Sequence, residues 1–248
     1  MQLARSLLFN LSIYVAMALV GLWYAPQAVF RRDKALEACK VWCRYVMWAA
    51  ERLIGLRTEI RGTPPEGEVL IAAKHQSFLD IVMIFSAVPR GRFIMKNELR
   101  WAPVLGWFAL RIGCVPVRRG KRAEAMRRML ADVAAGRTEP GQLIIYPQGT
   151  RVAPGVPRPY KVGTYVLYAE TGQPCVPVGC NVGVFWPRRG FLRHPGTAVV
   201  EFLDPIPPGL SQAEFMERMS GAIEESSDRL MAEAGFRVPS APGPLEEV

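Results

Sequence analysis

The stretch EVLIAAKHQSFLDIVMIF, residues 68–85, decides how the chain is read. Residues 68–73 are a short apolar run of the kind that forms a buried strand. From Ser77 onward the pattern changes to a helix start, with Ser77 as N-cap and Asp80 in the first turn. Between the two stands His75, one of only two histidines in 248 residues. Asp80 lies five residues after it, which on a continuous helix would put the pair on different faces. They meet only if His75 sits in the strand-to-helix turn and Asp80 reaches back to one ring nitrogen. A carboxylate there fixes the imidazole tautomer and raises the basicity of the other nitrogen. A plain alternative is an acidic residue favoured by the helix N-terminus beside an ordinary loop histidine.

Working outward, short β-rich runs recur at 92–95, 114–117, 142–146, 175–179 and 197–203. Helix-like segments fall between most of them, at 77–88, 99–110, 122–135 and 163–171. This alternation predicts an α/β fold with a largely parallel, mixed sheet flanked by helices. Ser211-Gln-Ala-Glu214 is a capping box that opens a last helix running to about Ala234, with Gly235 as its stop. The proline-rich, acidic end reads as a disordered tail.

Upstream, residues 6–30 carry no charge, close to the ~20 apolar residues that span a bilayer. The run ends in Trp23-Tyr-Ala-Pro-Gln27, an interfacial aromatic pattern rather than a signal-peptide cleavage site. Arg31, Arg32 and Lys34 follow it and favour a cytoplasmic location for the C-terminal side. A second segment, 35–56, mixes aromatic residues with Lys40, Arg44 and Arg52 and suits a membrane interface. Two ordinary helices packed on the domain would satisfy the same pattern. The expected division is 1–58 as membrane-anchoring helices, 59–236 as the α/β domain and 237–248 as the tail.

The net charge of +9 points to an anionic partner: nucleic acid, an anionic membrane or a phosphorylated substrate. No recognisable nucleic-acid-binding module accompanies it, so no nucleic acid is expected. The five cysteines include no C-x-x-C pair, which argues against a zinc site or a disulfide framework. The positive charges gather where strands run out, at Lys96, at Arg118-Arg119 and at Arg151. Ligand sites in open α/β sheets form at those carboxyl ends. A His–Asp pair beside several cations suits a general base acting on an anionic substrate.

The blocks carrying these residues resemble one family. His75-Gln-Ser-Phe-Leu-Asp80 is similar to the HX4D motif of the glycerolipid acyltransferases, specifically the 1-acylglycerol-3-phosphate acyltransferases. In the same order follow Phe93 to Trp107, similar to a lysine-x-glutamate-leucine block, then Tyr146-Pro-Gln-Gly-Thr-Arg151 and Val176-Pro-Val-Gly-Cys-Asn181. The resemblance covers roughly 60–205 and implies the glycerolipid acyltransferase fold. It implies transfer of a fatty acyl group from acyl-CoA or acyl carrier protein to the sn-2 hydroxyl of 1-acylglycerol-3-phosphate, giving phosphatidic acid.

His75 would then be the general base and Asp80 its orienting partner. Lys96, Arg119 and Arg151 would hold the phosphate, with Gln148, Gly149 and Thr150 in the same substrate-binding turn. No metal or cofactor is implied; membrane lipids are partners, and the setting is a cell membrane, a bacterial inner membrane, with the domain on the cytoplasmic side. Two departures stand out: Gln148 replaces the family's usual glutamate, and Arg118 replaces an aspartate. Gln148 keeps open another lyso-lipid acceptor, such as a lyso-ornithine lipid. A non-catalytic basic protein that binds membrane surfaces is the rival of another class.

Overall fold

The computed structural model describes residues 1–117, 131 and 140–237. Its elements run α1 (Gln2–Phe30), α2 (Arg32–Ala49), a π-helical turn (Ala50–Ile54), β1 (Leu56–Arg61), β2 (Leu70–Ala73) and α3 (Leu79–Ala87). Next come β3 (Arg92–Lys96), a 3-10 turn (Asn97–Trp101), α4 (Leu105–Arg111), β4 (Val115–Val117) and β5 (Leu143–Ile145). The chain closes with α5 (Gly163–Thr171), β6 (Cys175–Cys180), α6 (Val182–Phe185), β7 (Gly196–Phe202) and α7 (Gln212–Glu233). The helix expected at 122–135 and the tail expected at 237–248 lie outside the described residues, apart from Ala131 and Arg237.

The strands form one seven-stranded mixed sheet in the order β1-β7-β6-β2-β5-β3-β4. All neighbours are parallel except β6 and β7. Alternation along the central strands sorts side chains onto two faces. Ile71, Ala73, Ile144 and Val176 pack towards α1, α2 and α3. Leu70, Ala72, Leu143 and Ile145 pack towards α5 and α7. Phe215 stacks on Tyr168 at 4.0 Å in that second layer. Each fully buried side chain of this size contributes roughly 1.5–3 kcal/mol of transfer free energy.

The connections explain where a site can form. From β2 the chain passes through α3 to β3, and from β5 it passes through α5 to β6, so the two crossovers leave the central pair in opposite directions. That reversal opens a crevice outside the carboxyl ends of β2 and β5.

Helix α1 is held along its whole length. Near its start, Gln2 Nε2 donates to the Arg193 carbonyl at 2.9 Å. Phe9 meets Trp186 edge-on at 5.2 Å, and Trp42 Nε1 donates to the Ile13 carbonyl at 2.8 Å. At its far end Arg111 Nε donates to the Ala28 carbonyl at 2.7 Å. The opposite face leaves Leu7, Leu11, Leu19, Leu22 and Trp23 exposed. Among the described residues α1 is the one helix long and apolar enough to cross a membrane.

Three local expectations differ. β1 is not among the strands expected from the sequence, and the expected boundary between residues 58 and 59 falls inside it; its Leu56, Thr58 and Ile60 run on from the preceding apolar helix. The helix expected over 99–110 is broken into the 3-10 turn and α4, because Pro103 lacks the amide needed to continue a helix. Phe78, rather than Ser77, occupies the N-cap of α3, while Ser77 Oγ accepts from the Leu79 amide at 3.2 Å.

Candidate active site

β2 ends in the sheet, with the Lys74 amide still donating to the Val178 carbonyl at 2.9 Å, and the chain then turns out of the ladder. His75 stands in that turn. Asp80 lies in the first turn of α3 and is fully buried. Its Oδ1 is 2.8 Å from His75 Nδ1. Its Oδ2 accepts from the Gln76 and Ser77 amides at 2.9 and 2.7 Å. Three donors therefore converge on one buried carboxylate, which satisfies the charge and locks its orientation. With Nδ1–H donating to Asp80, the lone pair of the neutral ring lies on Nε2.

The ring is also fixed from its face. Tyr146, the first residue after β5, stacks on His75 with centroids 3.9 Å apart and planes inclined by 20°. Tyr146 is half-buried with its hydroxyl fully buried, and that hydroxyl closes no well-formed hydrogen bond. Burial, together with the nearby Asp80 charge, holds the phenol well above its usual range, so it stays protonated.

The Tyr146–Arg151 segment forms a tight turn beside the imidazole. The Gly149 amide donates to the Tyr146 carbonyl at 2.9 Å, and the Val152 amide donates to the His75 carbonyl at 2.7 Å. Gly149 adopts φ +72°, a left-handed conformation that glycine tolerates. A Cβ there would fall 2.7 Å from Lys161 Nζ, so the lysine side chain lies directly over this turn. Arg188 Nη1 donates to the Arg151 carbonyl at 3.0 Å. One peptide unit, 151–152, thus carries Arg188 at one end and His75 at the other.

Of the residues expected to bind substrate, Gly149, Thr150 and Arg151 stand in this turn next to His75. Lys96 is exposed at the carboxyl end of β3, on the same edge of the parallel strands as His75. Arg119 and Arg118 lie outside the described residues. Gln148 is placed differently from the expectation: it is 1% exposed and turned inward, with Nε2 donating to the Arg158 carbonyl at 3.2 Å and approaching Glu224 Oε1 at 3.4 Å. Sequence reading missed Lys161, Arg188 and Glu224. Arg188 lies a short way past the fourth block, in Phe185-Trp-Pro-Arg-Arg189, where a cation pair is the available signal. Nothing local marks Glu224, one of several acidic residues on α7.

The acyltransferase family model matches residues 57–181, from β1 to just past β6. The chain belongs to this acyltransferase family. It is 26% identical over 204 residues to the 1-acyl-sn-glycerol-3-phosphate acyltransferase of Pseudomonas aeruginosa, covering 80% of this chain and 79% of that one. It is 28% identical over 182 residues to human 1-acyl-sn-glycerol-3-phosphate acyltransferase alpha, covering 71% of this chain and 64% of that one. The crystal structure of the 1-acyl-sn-glycerophosphate (LPA) acyltransferase, PlsC, from Thermotoga maritima shares the fold. Its TM-score is 0.77 at 22% identity, over 94% of this chain and 98% of that one. The motif blocks of this acyltransferase therefore sit on the fold of that neighbour, and its His–Asp pair occupies the crevice that the sheet order creates.

Proposed function

We propose that this acyltransferase moves a fatty acyl group from a thioester donor, acyl-CoA or acyl carrier protein, to the sn-2 hydroxyl of a 1-acylglycerol-3-phosphate. The product would be phosphatidic acid. The observation that carries this reading is His75 clamped by Asp80 through Nδ1 at 2.8 Å, in a chain similar to named acyltransferases of that specificity. Nε2 takes the proton from the acceptor hydroxyl as the oxygen attacks the thioester carbonyl. Asp80 stabilises the imidazolium that forms, and the thiol leaves with that proton.

Within the turn, the Gly149 and Val152 amides are already bonded. The candidate oxyanion donors thus narrow to the Gln148, Thr150 and Arg151 amides. Arg151, Arg188, Lys161 and Lys96 supply the positive field for the acceptor phosphate. Gln148 faces Glu224, so its departure from the family pattern leaves the acceptor-facing side of the turn unchanged.

The anchor follows from the packing of α1. A helix bonded to the domain at residues 2, 13 and 28 presents only its outer face to lipid. We read it as lying in one leaflet with Leu99, Trp101 and Trp107, which are also exposed. The basic residues Arg31, Arg32 and Lys34 after α1 would favour the anionic cytoplasmic leaflet, with the catalytic domain on that side.

The test is acyl transfer by the detergent-purified chain, with lysophosphatidate offered alongside acyl-CoA and acyl carrier protein, and His75→Ala in parallel. Product from the wild type alone supports the reading. Transfer only to a lyso-lipid without phosphate replaces the acceptor. Equal product from His75→Ala removes His75 as the base.

A further inference from the structure

Lys74, the residue before His75, does not contribute to the proton transfer. It is 4% exposed, and a lone buried ammonium needs a counter-charge. Glu224 supplies it from the middle of α7, with both carboxylate oxygens 2.6 Å from Lys74 Nζ. The same carboxylate accepts from Tyr160 Oη at 2.8 Å, and Gln148 turns its amide towards it. Gln148 Oε1 is buried without a partner. The amide is therefore oriented by what its nitrogen can donate to.

We propose that Glu224 is a positioning residue of the active site: one carboxylate, delivered by α7, that ties the end of β2 to the turn after β5. Lys74 sets the point at which the chain leaves the sheet and His75 begins. Gln148 is the inward-facing residue of the turn that carries Thr150 and Arg151. Both the Lys74 ammonium and the Gln148 amide meet the same atom, Glu224 Oε1, so one group sets the distance between the base and the turn.

The cluster holds one ammonium with Glu224 as its contacting carboxylate, a neutral amide and a phenol as further donors, and the Asp228 carboxyl one turn further along α7, raised by partial desolvation and by the Glu224 charge. A glutamate at 148 would press a second carboxylate against Glu224, and two carboxylates in contact cannot both ionise beside one lysine. The carboxylate at this spot thus comes from α7 rather than from the turn. A single reversion at 148 would then damage the site rather than improve it.

The test is a charge relocation in the full chain, purified in detergent. Wild type, Gln148→Glu, Glu224→Gln and the Gln148→Glu/Glu224→Gln double variant are compared by kcat/KM for the acyl acceptor and by thermal unfolding. The kinetic arm rests on the acyl-transfer reading above. Each single variant should lose about tenfold or more in kcat/KM, the scale of a lost hydrogen bond to a charged group. The double variant, with the charge returned opposite Lys74, should recover to within about threefold of wild type and regain its unfolding temperature.

Loss of packing alone would make the double variant worse than either single, which overturns the proposal. Wild-type kinetics in Glu224→Gln would overturn it too. Should Glu224→Gln fail to fold, a folded and active double variant still supports the proposal, and an unfolded one overturns it. A wild type that acylates no lyso-lipid counts against the proposed function instead, and the unfolding temperatures of the four proteins then decide this inference alone.

Discussion

Replacing Asp80 with asparagine removes one negative charge and almost no volume, and the structure dictates how the site would respond. The Gln76 and Ser77 amides point at Oδ2 from a rigid turn, at 2.9 and 2.7 Å. The single carbonyl oxygen of an asparagine must stay there, since only it can accept from them. Its amino group is then left facing His75 Nδ1 across the present 2.8 Å contact. A donor in that place forces Nδ1 to accept, so the ring proton moves to Nε2. An imidazole protonated at Nε2 cannot take a proton from the acceptor hydroxyl.

The expected cost is about 10⁴-fold in kcat, the scale seen when the same tautomer switch is imposed on Ser-His-Asp hydrolases. Stability should suffer little, by about 1 kcal/mol, because both amides keep an acceptor. Asp80→Ala is the contrasting variant. It strands three buried donors at about 1–3 kcal/mol each and should unfold at a clearly lower temperature. The assay is kcat at saturating donor and acceptor, with thermal unfolding of both variants alongside. An Asp80→Asn enzyme retaining more than about a tenth of the wild-type kcat would refute the tautomer reasoning and leave Asp80 as an anchor for the turn.

Other consequences follow from single contacts. Tyr146→Phe keeps the ring on His75 and deletes a buried hydroxyl without a partner, so thermal unfolding should be unchanged or slightly raised; a loss of about 1 kcal/mol or more would show that the hydroxyl donates to Asp80. Arg188→Ala should raise the KM for a phosphorylated acceptor well above any change for the acyl donor, and equal effects on both would remove the phosphate role. Asp228, exposed on α7 one turn from Glu224, has its carboxyl pKa raised by partial desolvation and then by the Glu224 charge. A raised folded-state value means the native state loses stability as pH rises through that value. Asp228→Asn should therefore raise the unfolding temperature at neutral pH, with the gain vanishing in acid; a gain that persists in acid would refute this.

What the sequence showed and what it hid have different physical causes. Strand periodicity, the Ser211–Glu214 cap and the His75–Asp80 spacing are local signals, and each needs only a few neighbouring residues to be read. The cap is present in the fold, with Ser211 Oγ accepting from the Glu214 amide, and the pair closes as the turn geometry required. Strand order was illegible because register is set by packing between segments far apart in the chain, such as Leu70 against Leu143 and Cys175. β1 was hidden for another reason: only Leu56 along it is fully buried, so it lacks the apolar run that marks a central strand. Glu224 is the extreme case. It meets Lys74 across 150 residues, and no spacing rule reaches that far.

Gln148 shows why a motif is safer read in space than in line. As a letter in Tyr146-Pro-Gln-Gly-Thr-Arg151 it signals a lost charge, and a lost charge in a phosphate-binding turn suggests a different acceptor. In the fold, that side chain points away from the crevice, into a cluster whose carboxylate arrives from α7. Thr150 and Arg151 follow it as half-buried residues of the turn beside His75, with Lys161 over the turn and Arg188 on the Arg151 carbonyl. Lys96 adds its charge at the end of β3 and leads directly into exposed Leu99 and Trp101. A cation followed within five residues by apolar anchors matches a lipid whose phosphate lies at the interface and whose chain lies below it. Acceptor identity is therefore to be sought in those cations and their apolar border.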